Sequence, residues 1–117
     1  MSEKWHLVYY ISPSGDIPVK DFLDAALPTL KAKAFRIFQH IQEYGLLAAI
    51  PHIKKLSGTP LFEIRILGSD SARVLFVTQV GQTIVLLHAF YKKTQKTPLK
   101  EITVALRRLK ESERRSM

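Results

Sequence analysis

Apolar residues recur along this chain in two rhythms, one helical and one alternating, and the switch between them divides it into elements. Trp5 to Ile11 (WHLVYYI) is rich in aromatic and β-branched residues and is closed by the turn-forming SPSGD, so it predicts a strand. A helix opens at Asp16 or just after it. Pro18 suits a first helical turn, and Val19, Phe22, Leu23, Ala26 and Leu27 follow at helical spacing. Pro28 interrupts or restarts the helix. From Thr29 to Tyr44 a stripe of Leu30, Ala34, Ile37, Phe38 and Ile41 runs along one face, with Lys31, Lys33, Arg36 and Gln39 largely off it. Gly45 is the natural stop of this second amphipathic helix. The two helices are expected to form an antiparallel hairpin.

After a linker, LLAAIPHIKKLSGTP, the rhythm changes to strands: Leu61 to Leu67, Ala72 to Val80, and Thr83 to Tyr91. The connections, GSDS and Gly81-Gln82, are short enough for antiparallel hairpins, so a meander is expected. Pro98 opens a last helix through about Glu113, with Ile102, Ala105, Leu106 and Leu109 on one face, and the tail ERRSM is expected to fray. The predicted class is α+β in the order β-α-α-β-β-β-α. Four strands would form a mainly antiparallel sheet on the helical hairpin, with a C-terminal helix.

Length makes this one domain over residues 1–117, since the chain is too short for two ordinary cores. The absence of cysteine excludes a disulfide framework, a thiolate metal site and a cysteine nucleophile, and fits a reducing compartment. No apolar run is long enough to span a membrane and the N-terminus lacks signal-peptide features, so a cytoplasmic protein is expected. The four histidines, His6, His40, His52 and His88, lack zinc-site spacing, and the isolated glycines make no phosphate loop, so neither a metal nor a cofactor is expected.

Charge adds a partner. Residues 1–60 hold 7 basic and 5 acidic groups, whereas residues 61–117 hold 11 and 5, so most of the net +8 lies in the second half. Such a face attracts polyanions, nucleic acid first among them.

Alternation sorts the polar residues of the meander. Glu63 and Arg65 share one face of LFEIRIL, while Phe62, Ile64 and Ile66 point toward the helical layer. If Gly81-Gln82 is a two-residue turn, Val80 pairs with Thr83, and counting back sets Arg73 opposite Phe90, beside His88, Tyr91, Lys92 and Lys93. Metal-independent RNA cleavage needs a base for the ribose 2′-OH, fixed cations for the phosphorus-centred charge and an acid for the leaving 5′-oxygen. Glu63 can be read as base, Arg65 and Arg73 as phosphate clamps, and Tyr91, Lys92 or Lys93 as acid, with His88 competing for either proton role. The competing reading makes Glu63 and Arg65 a surface ion pair and His88 a hydrogen-bonded structural histidine.

KKLSGTPLFEIRI, ARVLFV and IVLLHAFYKKTQKTPLKEITVALRR, together with WHLVYYISPSGDIPVKDFLDAAL, resemble the phage-derived HigB-like branch of the RelE/ParE toxin superfamily over nearly the whole chain. The resemblance implies a RelE-like fold and a toxin that cleaves mRNA in the ribosomal A site and is restrained by a helix-turn-helix, HigA-like antitoxin. It assigns the scissile-phosphate arginine to Arg73 and the polar pair of the first meander strand to Glu63 and Arg65. The segment supplying the remaining catalytic side chains falls on Tyr91, Lys92 and Lys93, of which Tyr91 and Lys92 are the preferred catalysts. Lys54 and Lys55 fall where relatives carry RNA-contacting bases, and His88, Lys93 and Lys96 complete the expected RNA-binding set. ParE-like members instead inhibit DNA gyrase and lack much of this polar set. A non-catalytic nucleic-acid-binding regulatory module is the third class.

Overall fold

A computed structural model describes residues 4–68 and 71–115. Strand β1 (His6–Tyr9) leads to helices α1 (Pro18–Ala25) and α2 (Pro28–Tyr44), then to a 3-10 helix (Leu46–His52). Strands β2 (Ile53–Lys55), β3 (Phe62–Ile66), β4 (Ala72–Gln79) and β5 (Thr83–Tyr91) follow, and α3 (Leu99–Arg115) closes the chain. Pro18 and Pro28 each stand in the first turn of their helix, where a missing N–H costs nothing. Gly45 ends α2 at φ 89, and a Cβ there would meet Trp5 Nε1 at 3.1 Å.

The class is α+β as expected, but the sheet has five strands rather than four, in the order β1-β5-β4-β3-β2. The addition is Ile53–Lys55, placed in the linker by its sequence. Three residues, two of them charged, carry no strand signal of their own; they become a strand by pairing antiparallel with Ile64, Glu63 and Phe62. The sheet is mixed because β1 runs parallel to β5, with His6 opposite Thr83 and Tyr9 opposite Leu86. Ser69 and Asp70 of the GSDS connection, and Ser116 and Met117 of the tail, lie outside the described residues. Glu113 to Arg115, expected to fray, continue α3, and Arg115 is held by Glu111 at 2.6 Å and by the carbonyl of Ile11.

Both faces of the sheet are covered. On one, α1 and α2 bury Val19, Leu23, Leu30, Ala34, Ile37, Phe38 and Ile41 against Ile64, Ile66, Val74, Phe76, Ile84 and Leu86. On the other, α3 lays Ala105, with Ile102, Leu106 and Leu109, over Leu75, Val77, Val85, Leu87 and Phe90. Two-sided burial explains why β4 reads as the nearly continuous apolar run ARVLFV.

The register of β4 and β5 departs from a simple hairpin twice. Gln79 pairs with Thr83, so Val80, Gly81 and Gln82 form a three-residue turn in place of the expected two, with Gly81 at φ 83 and Gln82 at φ 59. Farther along, Phe76 pairs with Leu86 but Leu75 pairs with His88, which leaves Leu87 as an extra residue in a β-bulge. The two one-residue offsets cancel. Arg73 therefore does stand opposite Phe90, although the turn is one residue longer than expected and the ladder carries a bulge.

Candidate functional site

The site begins with a carboxylate in an unexpected place. Glu63 is only 1% exposed and Arg73 6%, on adjacent strands of the α3 face. Arg73 donates its Nε–H to Glu63 Oε1 at 3.1 Å, and its Nη1 donates to the carbonyl of Ala72 at 3.0 Å. The second carboxylate oxygen, Oε2, accepts the hydroxyl of Thr97, so both oxygens of Glu63 are occupied. The ion pair is thus buried and diagonal, from Glu63 to Arg73, in place of a surface pair between Glu63 and Arg65.

Arg65 stands directly across β3 and β4 from Arg73. Its Nη2 donates to the carbonyl of Pro51 at 3.2 Å, while its Nε is buried with no hydrogen-bond partner among the described residues. Two guanidinium groups side by side repel unless an anion lies near both, and Glu63 neutralises only one of them.

Beyond β5, the N–H of Lys92 bonds to the carbonyl of Ser71 at 2.9 Å, which continues the ladder by one residue. Alternation then carries Lys92 to the same face as Arg73 and Phe90. Burial lowers the Lys92 ammonium from the usual lysine range, and the positive charge of Arg73 lowers it further, against the raising effect of Glu63. Arg73 is itself lowered by burial, with Glu63 opposing. An open cleft of about 460 Å³ is lined by Ser71, Arg73, Lys92, Lys93, Thr94 and Gln95. A second, of about 250 Å³, is lined by Lys54, Lys55, Leu56, Ser57, Lys96, Thr97 and Ile102. Lys54 is the cross-strand partner of Glu63, and Lys55 lies with its Nζ 5.2 Å from the centre of the Phe62 ring.

The structure therefore gathers Glu63, Arg65, Arg73, Lys92, Lys93, Lys54 and Lys96 around one end of the α3 face. It does not bring Tyr91 or His88 to them. Tyr91 alternates to the α1 face, where its ring lies 4.8 Å from that of Phe22. The bulge turns His88 toward α3, where Nε2 lies 2.8 Å from Glu101 Oε1 and Nδ1 lies 3.0 Å from Arg108 Nη1. Arg108 can only donate, so Nδ1 accepts and the Nε2–H donates to Glu101. Burial, the largest influence, lowers the His88 pKa and favours this neutral form. Nothing in the local sequence marks Thr97 for the site, because its partner Glu63 is 34 residues away.

The sequence profile of the phage derived protein Gp49-like family (DUF891) matches residues 21–110. The chain belongs to this Gp49-like family. The match runs from within α1 to within α3 and includes every residue that lines the two basic clefts. The Gp49-like family is a RelE-like toxin family. No curated protein matches this Gp49-like chain. Among its described residues no three of His, Cys, Asp and Glu gather as a metal-binding group, and no helix is long and apolar enough to cross a membrane.

Proposed function

We propose that this Gp49-like protein is the toxin of a toxin–antitoxin pair, of the HigB-like kind, and that it cleaves mRNA on the ribosome without a metal. The observation that carries the reading is the Arg73 guanidinium, pinned by buried Glu63 and lining an open cleft beside a lysine of lowered pKa. In the reaction the ribose 2′-oxygen attacks phosphorus, the bond from phosphorus to the 5′-oxygen breaks, and a 2′,3′-cyclic phosphate remains. Arg73 holds the non-bridging oxygens as negative charge builds on them. Lys92, made a stronger acid by its surroundings, gives its proton to the departing 5′-oxygen. Both oxygens of Glu63 are engaged, so the carboxylate orients Arg73 and the 2′-hydroxyl proton is left to solvent. Lys93 lines the Arg73 cleft, and Lys54, Lys55 and Lys96 line the neighbouring one, ready to hold flanking phosphates. The partners of this reading are the ribosomal A site with its mRNA and a helix-turn-helix antitoxin.

Primer extension on translating mRNA tests the reading. Wild type should cut the message, and Arg73→Ala should cut it roughly two to three orders of magnitude more slowly. An intact message in a culture whose growth still stops would transfer the target to gyrase or another machine.

A further inference from the structure

Thr97 occupies a position built for a fixed hydroxyl. It precedes Pro98, and a residue before proline is biased toward extended backbone. The carbonyl of Pro98 accepts the N–H groups of Glu101 at 3.1 Å and Ile102 at 3.3 Å, which ties it to the first turn of α3. That helix is anchored in turn by buried Ala105. On the other side, Thr94 Oγ1 donates to the carbonyl of Lys96 at 2.8 Å and shapes the preceding turn. Thr97 thus reaches Glu63 from a mount whose two ends are held. Its hydroxyl occupies Oε2 while Arg73 occupies Oε1.

We infer that Thr97 is a positioning residue, whose hydroxyl locks the Glu63 carboxylate in the orientation that presents the Arg73 guanidinium to the cleft. A carboxylate held at one oxygen can rotate about its last torsion; one held at both cannot. The same bond covers Glu63, leaving Arg73 as the member of the pair that lines the cleft. Lys54 is paired across the strands with Glu63, Arg65 stands opposite Arg73 and Lys92 feels the Glu63 charge, and none of the three makes a hydrogen bond to this carboxylate among the described residues. The catalytic consequence rests on the nuclease reading above, whereas the locking of Arg73 stands or falls independently of it.

The test compares wild type with Thr97→Val, which keeps the shape and loses the hydroxyl, and Thr97→Ser, which keeps the hydroxyl. Two measurements are made on each folded full-length chain: solvent exchange of the Arg73 Nε–H by nitrogen-15 NMR, and single-turnover mRNA cleavage on programmed ribosomes. Thr97→Val should speed exchange roughly tenfold and slow cleavage at saturating toxin roughly tenfold, with little change in half-saturating concentration, and Thr97→Ser should recover most of both. Unchanged Arg73 exchange in Thr97→Val, or loss of protection in Thr97→Ser equal to that in Thr97→Val, overturns the inference. Wild type that cuts no message overturns the nuclease reading alone, because the exchange measurement still decides whether Thr97 locks Arg73.

Discussion

Arg73 and Glu63 are bonded at 3.1 Å with both side chains more than nine-tenths buried, so each is the other's chief compensation for leaving water. Breaking such a pair from one side leaves a buried charge alone, which costs far more than the pair contributes. Glu63→Ala should therefore lower unfolding free energy by about 3 to 5 kcal/mol. Glu63→Gln removes the same charge but retains an acceptor for Arg73 and a hydrogen-bonding group for Thr97, so it should cost about 1 to 2 kcal/mol less than Glu63→Ala. Urea denaturation of the two variants measures the difference, and equal losses would mean that the lost charge alone, and not the hydrogen bonds, accounts for the cost.

Lys92 makes cleavage pH-dependent in a defined direction. Its acid role requires the ammonium form, and its pKa in the fold lies below the usual lysine value because of burial and Arg73. Activity should be complete at low pH and fall as pH rises through that lowered pKa, earlier than an ordinary lysine would allow. Lys92→Arg should remove this limb and cut the rate by about a hundredfold. A pH–rate profile with the same alkaline limb in both proteins would assign the proton to another group.

Tyr91→Phe separates Tyr91 from Lys92, the two catalysts preferred among the proton donors that the sequence suggests. With its ring on Phe22 across the sheet from Arg73, the hydroxyl has no part in the cleft. The variant should cleave mRNA within about twofold of wild type, whereas loss of a general acid costs a factor of about a hundred or more. A fall of that size in the primer-extension assay would return Tyr91 to the site.

His88 should report on stability through pH. Its folded pKa is lowered by burial, so between the unfolded value near 6.5 and the lower folded value the unfolded chain binds more protons than the folded one. Stability is therefore full above the unfolded pKa and is lost as pH falls toward the folded pKa, where protonation also removes the acceptor for Arg108. Melting temperature should drop between pH 7.5 and 5, and His88→Gln should flatten that part of the curve. An unchanged slope in the variant would place the titrating group elsewhere.

Gly45→Ala joins two costs at one position, a positive φ and a Cβ placed 3.1 Å from the Trp5 indole nitrogen. Thermal or urea unfolding should show a loss of about 1 to 3 kcal/mol, the range expected when a residue with a side chain is held at the φ 89, ψ 170 backbone that glycine alone adopts readily. A neutral result would mean that Trp5 and the end of α2 readjust freely.

The sequence by itself determined the elements whose information is local. The stripe of Leu30, Ala34, Ile37, Phe38 and Ile41 defined α2, Gly45 its end, and alternation the opposite facing of Ile64 and Glu63. It also marked Glu63, Arg65, Arg73, Tyr91, Lys92 and Lys93 as a group, since strand register brings residues close in sequence-countable steps, and of these Tyr91 lies instead against Phe22. Only the tertiary structure decided which polar groups are covered and by what. Strand β2 exists through its pairing with β3, and the parallel placement of β1 beside β5 through contacts across most of the chain. The bulge at Leu87 turns His88 under α3, and Thr97 closes over Glu63 from 34 residues away. Periodicity states which way a side chain leaves the backbone; burial depends on what distant segment arrives there. That difference turned an apparent surface glutamate into the buried anchor of Arg73.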